Sequence, residues 1–229
     1  MNIFESIVSW RPVKKFDKKH IDDKLIGVML HMASHAVSAG NMQEWQFIVI
    51  RNNEIKKKLS VAALDQTQIE EAPIDIVVCA DLEKANLRYS KRGEVFYSIQ
   101  DTAAAVQILL LTANALGLGS DWIKAFDEDR IRIILGLPNN LRPVAIVPIG
   151  YALEEYSERK FLPFENMTWE NAYGKKYELS YIIQPGIKRE ISWRPIGNQI
   201  EELFKKRQKE KPKTEKMTFS QLLKKLKKR

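Results

Sequence analysis

Arg11, Lys14 and Lys15 place three cations within five residues, a grouping that could clamp a phosphate. The same run could equally be a solvated charge cluster, the commoner meaning of neighbouring lysines and arginines. A second group follows at Ser38-Ala39-Gly40-Asn41-Met42-Gln43-Glu44-Trp45-Gln46-Phe47, which runs directly into the β-branched Ile48-Val49-Ile50. Small residues here let backbone approach a flat ligand closely, while Asn41 and Gln43 bring both donors and acceptors. An ordinary helix-to-strand turn is the alternative, and Trp45 and Phe47 read as core residues. A third group, Gly117-Leu118-Gly119-Ser120-Asp121-Trp122, closes a long apolar run, where Gly117 also suits a helix end. A fourth, Glu158-Arg159-Lys160-Phe161-Leu162-Pro163, sets two cations ahead of a proline.

Other chemistries find little support in the chain. His20, His31 and His35 show no metal-ligand pattern with Cys or Asp, so no metal is expected. There is no Gly-x-Gly-x-x-Gly run, no phosphate loop ending in Gly-Lys-Ser, and no Gly-x-Ser-x-Gly elbow. The single cysteine, Cys79, lies in Ile76-Val77-Val78-Cys79-Ala80 and reads as a small buried hydrophobe with nothing beside it to activate the thiol.

The elements that must position these groups can be traced by periodicity. Asn2–Val8 reads as a short helix with Ile3, Phe4, Ile7 and Val8 on one face, and a second starts near Asp22 with Leu25, Val28, Met29 and Met32 at helical spacing. Strands are expected over 47–51, 75–80 and 143–150, and helices over 54–63 and 127–135. Between Ser98 and Leu116 runs a helix apolar nearly all round, which belongs at a domain centre or a subunit interface. Strands separated by helices argue for a three-layer α+β or α/β domain rather than a β-sandwich or barrel.

The chain has 229 residues, 45% of them hydrophobic, which is enough for a real core. No apolar run approaches the roughly 20 residues of a membrane span, and the N-terminus does not read as a signal peptide. With one cysteine and no possible intrachain disulfide, a reducing cytoplasm is the expected location. The net charge of +8 is uneven. Residues 205–229 hold twelve Lys/Arg against Glu210 and Glu215, while the rest carries 25 basic and 27 acidic residues. The basicity therefore belongs to a tail, whose Phe219, Leu222, Leu223 and Leu226 outline a short amphipathic helix.

Taken in order and spacing, these groups resemble the FMN-dependent nitroreductase family over about residues 1–173. Arg11 and Phe16 match that family's Arg-Ser-x-Arg-x-Phe pattern, with Lys14 for the second arginine and Pro12 for the serine. Ser38, Asn41, Gln43 and Trp45 match its flavin-facing Pro-Ser-x-x-Asn-x-Gln-Pro-Trp pattern, with Val37 and Glu44 in place of prolines. The resemblance implies an FMN site built from Arg11, Pro12, Val13, Lys14, Lys15, Val37, Ser38, Ala39, Asn41, Gln68, Ile123, Lys124, Ala125, Arg159 and Lys160. In it the cations hold the phosphate, Gln68 reaches the pyrimidine edge, and the backbone N–H groups of Lys124 and Ala125 meet flavin N5 and O4. No side chain acts as catalytic acid or base.

The same resemblance implies a three-layer α/β/α fold with a mainly antiparallel sheet, in an interlocked homodimer with flavin at the interface. The implied activity is NADH- or NADPH-dependent reduction of a small acceptor such as a nitroaromatic, quinone or enone by a ping-pong cycle. Residues 1–175 would form the FMN-binding domain, 176–204 an extension packing on the partner subunit, and 205–229 the basic tail. The rival reading is a flavin carrier, or a polyanion binder acting through the tail. No membrane partner is expected, and nucleic acid is disfavoured because the main domain is near neutral.

Overall fold

In the computed structural model, which describes residues 2–153 and 161–177, the helix starts follow from their caps. Asn2 accepts a hydrogen bond from Glu5 N–H, and the Glu5 carboxylate accepts from Asn2 N–H, both at 2.9 Å. This capping box opens α1 (Ile3–Ser9), after which β1 (Phe16–Asp17) is brief. Asp22 caps α2 (Asp23–Ala33), β2 covers Trp45–Ile50, and Asn52 caps α3 (Asn53–Ala62). A single turn, α4 (Gln68–Glu71), leads into β3 (Ile74–Asp81). Asp81 caps α5 (Leu82–Arg92), a π-helical turn covers Gly93–Tyr97, and α6 (Ser98–Ala115) follows. Then come β4 (Gly119–Ser120), α7 (Glu128–Leu135) capped by Asp127 and closed by left-handed Gly136, and β5 (Leu141–Ala152).

All strand pairings are antiparallel, in the order β1-β5-β3-β2 with β4 also against β5. Side-chain alternation makes the three layers. Ile74, Ile76 and Val78 of β3 face the same way as Val147 and Ile149 of β5, and pack on α2 and α6. Val77 and Cys79, with Ile146, face the other way and pack on α3, α4 and α7. An irregularity between Val78 and Cys79 leaves Val144 as an extra residue in β5, so Val144 and Ala145 both reach the α6 side. The expected α+β sandwich with an antiparallel sheet is thus what the chain builds.

Two features depart from sequence expectation. The helical stretch Leu82–Ala115 is long and apolar enough by composition to cross a membrane, but α6 buries Val106, Leu109, Leu110 and Ala113 in the core. The other is α1. It packs through its polar side: Ser6 Oγ donates to Leu111 C=O at 2.8 Å and Asn114 Nδ2 donates to Ser6 C=O at 3.0 Å. Ile3, Phe4, Ile7 and Val8 are exposed, Phe4 at 77%.

The chain divides into two compact units, Met1–Phe161 and Leu162–Arg229. In the second, a 3₁₀ turn covers Phe164–Met167, and Trp169 pairs with Lys176 while its ring meets Tyr173. Arg159, Lys160, the β-like pieces at 181–183 and 190–193, and the tail helix lie outside the described residues.

Candidate functional site

The edge of β5 dictates where the Gly117–Trp122 segment goes. Asp121 N–H donates to Pro148 C=O at 3.2 Å, and Ile123 exchanges backbone bonds with Ile146 at 2.9 and 3.1 Å. Asp121 is thereby turned inward and buried. The Arg11–Lys15 segment is laid alongside: Val13 N–H donates to Ser120 C=O at 3.1 Å, and the Trp10 indole N–H donates to Ser120 Oγ at 3.1 Å. Val13 is buried against Gly119, where a Cβ would lie 2.5 Å from Val13 Cγ2. Glycine is required there by contact, not by backbone conformation.

This docking carries Lys14 onto Asp121. Its Nζ lies 2.6 Å from Asp121 Oδ2, with the lysine side chain still 55% exposed. Gln68 Nε2, at the start of α4, donates to the same Oδ2 at 3.0 Å, and Trp122 N–H donates to Oδ1 at 2.9 Å. Gln68 Nε2 also reaches Gln66 Oε1 at 3.3 Å, and Gln66 Nε2 donates to Ala125 C=O at 3.1 Å. One hydrogen-bonded network therefore joins Lys14, Gln68, Asp121 and Ala125, from three separate stretches of chain. The N–H groups of Lys124 and Ala125 take no part in these bonds. The Lys124 ammonium rests 4.1 Å from the Trp122 ring centroid, a cation–π contact, while Ile123 is buried in the core.

The Ser38–Gln43 turn is held by a different set of groups. Ala39 N–H donates to Asp101 Oδ2 at 2.7 Å, Gln43 N–H to Ser38 Oγ at 3.0 Å, and Gln43 Nε2 to Asn41 Oδ1 at 2.9 Å. Gly40, Asn41 and Gln43 all have positive φ (54°, 59° and 50°). A Cβ on Gly40 would lie 2.3 Å from the Tyr89 hydroxyl. From α5, Arg88 Nη1 donates to Gly40 C=O at 2.9 Å and Lys84 Nζ to Gln43 C=O at 3.0 Å. Val37 projects into solvent at 81% exposure. Beneath the turn lies Glu44, only 1% exposed. Burial, then its hydrogen bond with Asp101, push the Glu44 carboxyl up to about 7.

The remaining expected residues are spread out. Arg11 Nη1 donates to Val8 C=O at 2.6 Å and Trp10 C=O at 2.8 Å, so it closes the C-terminus of α1. Pro12 is exposed and bridges Ser120, while Lys15 is exposed and accepts from Leu153 N–H through its carbonyl. Burial pushes the Cys79 thiol up to about 12, consistent with a core role. Among the described residues, no group of three or more His, Cys, Asp or Glu could hold a metal ion.

Sequence reasoning missed Asp121, Gln66, Asp101 and the burial of Glu44. A signal existed for two of them. Asp121 is an isolated acid inside an otherwise small and apolar motif, and Gln66 and Gln68 are paired amides just before a strand.

An antiparallel sheet between two helix layers, with a buried carboxylate, a cation and an oriented amide gathered at its edge, places the chain in the α+β class. Residues 7–151 match the model of the nitroreductase family. The NADH dehydrogenase of Thermus thermophilus is 32% identical over 184 residues, covering 69% of this chain and 90% of that one. The FMN reductase (NADPH) of Bacillus subtilis is 24% identical over 185 residues, covering 75% of this chain and 74% of that one. In three dimensions the chain is similar to nitroreductase A of Vibrio parahaemolyticus, with a TM-score of 0.70 and 22% identity over 76% of this chain and 78% of that one. The chain belongs to the nitroreductase family and is an oxidoreductase.

Proposed function

We propose that this protein is an FMN-dependent oxidoreductase that uses NADH or NADPH to reduce a small electron acceptor, of the nitroaromatic, quinone or enone class. The observation that carries the reading is the network joining Lys14, Gln68, Asp121 and Ala125, which gathers the polar groups an isoalloxazine edge requires. The donor set fits the group: an amide for a pyrimidine edge, a cation beside it, and two N–H groups on the Lys124–Ala125 segment. When bound, FMN supplies the two-electron centre that exchanges hydride at N5 in a ping-pong cycle.

The chain's own residues bind and orient. Gln68 and Lys14 hold one edge of the ring, the N–H groups of Lys124 and Ala125 serve the opposite edge, and Lys15 with Arg159 or Lys160 takes the phosphate. Arg11 joins them by leaving the end of α1. The Val37–Asn41 turn covers the ring of a second subunit. That arrangement is supported by the exposed apolar face of α1 and by a groove of about 440 Å³ lined by Ile3, Val28, Met32, Ile108, Leu111 and Leu116. Residues 1–175 form the flavin-binding domain, 176–204 pack on the partner, and 205–229 form a basic tail, in a cytoplasmic homodimer.

The test is a visible spectrum of the purified protein, then anaerobic addition of NADH or NADPH. Oxidised-flavin bands that bleach with a nucleotide are the expected result. Bands that persist would mark a flavin carrier instead. A colourless protein that fails to take up FMN would overturn the flavin reading.

A further inference from the structure

Asp121 dictates what Gln68 can offer a ligand. A carboxylate has no hydrogen to donate, so the part of the Gln68 amide facing it must be the NH₂ group. Gln68 Nε2 lies 3.0 Å from Asp121 Oδ2 and 3.3 Å from Gln66 Oε1, so both of its N–H bonds are directed at acceptors within the protein. What the amide retains for a ligand is Oε1, an acceptor only. The arrangement is held from several sides. Lys14 Nζ at 2.6 Å and Trp122 N–H at 2.9 Å keep the Asp121 carboxyl as a pure acceptor, and Asp121 N–H is tied to Pro148 C=O. Gln66 in turn is anchored on Ala63 C=O at 2.9 Å and Ala125 C=O at 3.1 Å. A free glutamine amide presents either end at little cost; here only one end is available.

We propose that Asp121 is a positioning residue that locks Gln68 as a hydrogen-bond acceptor, so that the site selects a planar ring whose edge carries an N–H donor. The inference rests on the flavin reading above, in which that donor is N3–H of the pyrimidine ring. Replacing Asp121 by leucine removes the acceptor that Gln68 Nε2 and Lys14 Nζ both address. The Gln68 amide can then present its NH₂ group as well as its oxygen to the ligand.

The experiment is a fluorescence titration of the full chain and of Asp121→Leu with FMN and with N3-methyl-FMN, which lacks the N–H. Wild-type protein is expected to prefer FMN by about tenfold, the value of one hydrogen bond. In Asp121→Leu that preference falls toward unity, chiefly through weaker binding of FMN. Equal wild-type affinities for the two flavins would overturn the inference and leave the flavin reading intact. Undiminished discrimination in Asp121→Leu would assign it to the bulk of the methyl group and overturn the inference. Binding of neither flavin by wild-type protein would overturn the flavin reading itself, and the inference with it. Should Asp121→Leu fail to fold, Gln68→Met keeps Asp121 and removes the amide; it is expected to abolish the preference for FMN, and a preference that survives it would overturn the inference.

Discussion

Glu44 puts a carboxyl against Asp101 where water cannot reach it, and this has a consequence in pH. Burial first, then the Asp101 hydrogen bond and charge, hold its proton up to about 7 against an ordinary 4.5; the Lys84 ammonium pulls the other way. Between those values the folded chain keeps a proton that the unfolded chain has released. Stability is therefore fully present below pH 4.5 on this account, falls as pH rises through about 7, and stays low above it. Burial raises Asp75 well above its usual range too, and neither of its oxygens has a hydrogen-bond partner in the protein, so it adds to the same trend. The expected outcome is that Glu44→Gln, which keeps a hydrogen bond to Asp101 without a titrating proton, reduces the loss of denaturation midpoint between pH 5 and pH 8. An unchanged pH slope in the variant would remove Glu44 from the account. At this scale the sequence exposed the oddity, a glutamate where the family's pattern has proline, but not its burial. That arises because α5 and α6 close over the turn, bringing Asp101 from 57 positions away.

At the scale of elements, the site depends on how the Arg11–Lys15 segment lies against β4. A Cβ at Gly119 would sit 2.5 Å from Val13 Cγ2 and 3.3 Å from Ala152 Cβ, both in buried or half-buried positions. Gly119→Ala should therefore cost about 1–3 kcal/mol in thermal or chemical denaturation. Because Val13 carries Lys14, the same change should weaken FMN binding; a variant with wild-type stability would show that Val13 is free to move aside. Caps and periodicity made most elements legible: Asp22, Asn52 and Asp127 each begin a helix by accepting from the backbone of the first turn. The two-residue strands β1 and β4 were not legible, since two residues contain no period. The helix α5 was missed because it shows mostly polar residues and is kinked at Ser90, at φ 49°, before the π-helical turn at Gly93–Tyr97.

For the whole molecule, α1 is the informative element. Its apolar residues point away from its own core while Ser6 makes the inward contacts, an inversion that leaves Ile3, Phe4, Ile7 and Val8 as a contiguous exposed patch. If that patch is a subunit interface, Phe4→Glu combined with Ile7→Glu should shift the protein from dimer to monomer in sedimentation velocity. The variant should lose bound flavin together with the dimer, because the Val37–Asn41 turn would serve the partner's ring. A dimer that survives both charges would place the interface elsewhere. Deleting residues 205–229 separates the readings of the tail: loss of dimer stability marks docking on the partner, whereas loss of only salt-sensitive polyanion binding marks an electrostatic tail.

The sequence by itself determined the family, the antiparallel α+β sandwich and the separation of a near-neutral domain from a basic tail. The family and its antiparallel sheet follow from the resemblance carried by Arg11, Phe16, Ser38, Asn41, Gln43 and Trp45. Strands separated by helices and the division of charge follow from local periodicity and charge counts, which need no knowledge of distant contacts. It also supplied Lys14 and Gln68 as separate candidates. Only the tertiary structure decided that they meet on Asp121, that Arg11 is occupied at the end of α1, and that α1 turns its apolar side outward. The first depends on which residues the strand edge brings together, and the last on how α1 packs against α6. Lys14 and Asp121 are 107 positions apart in the chain and 2.6 Å apart across the site.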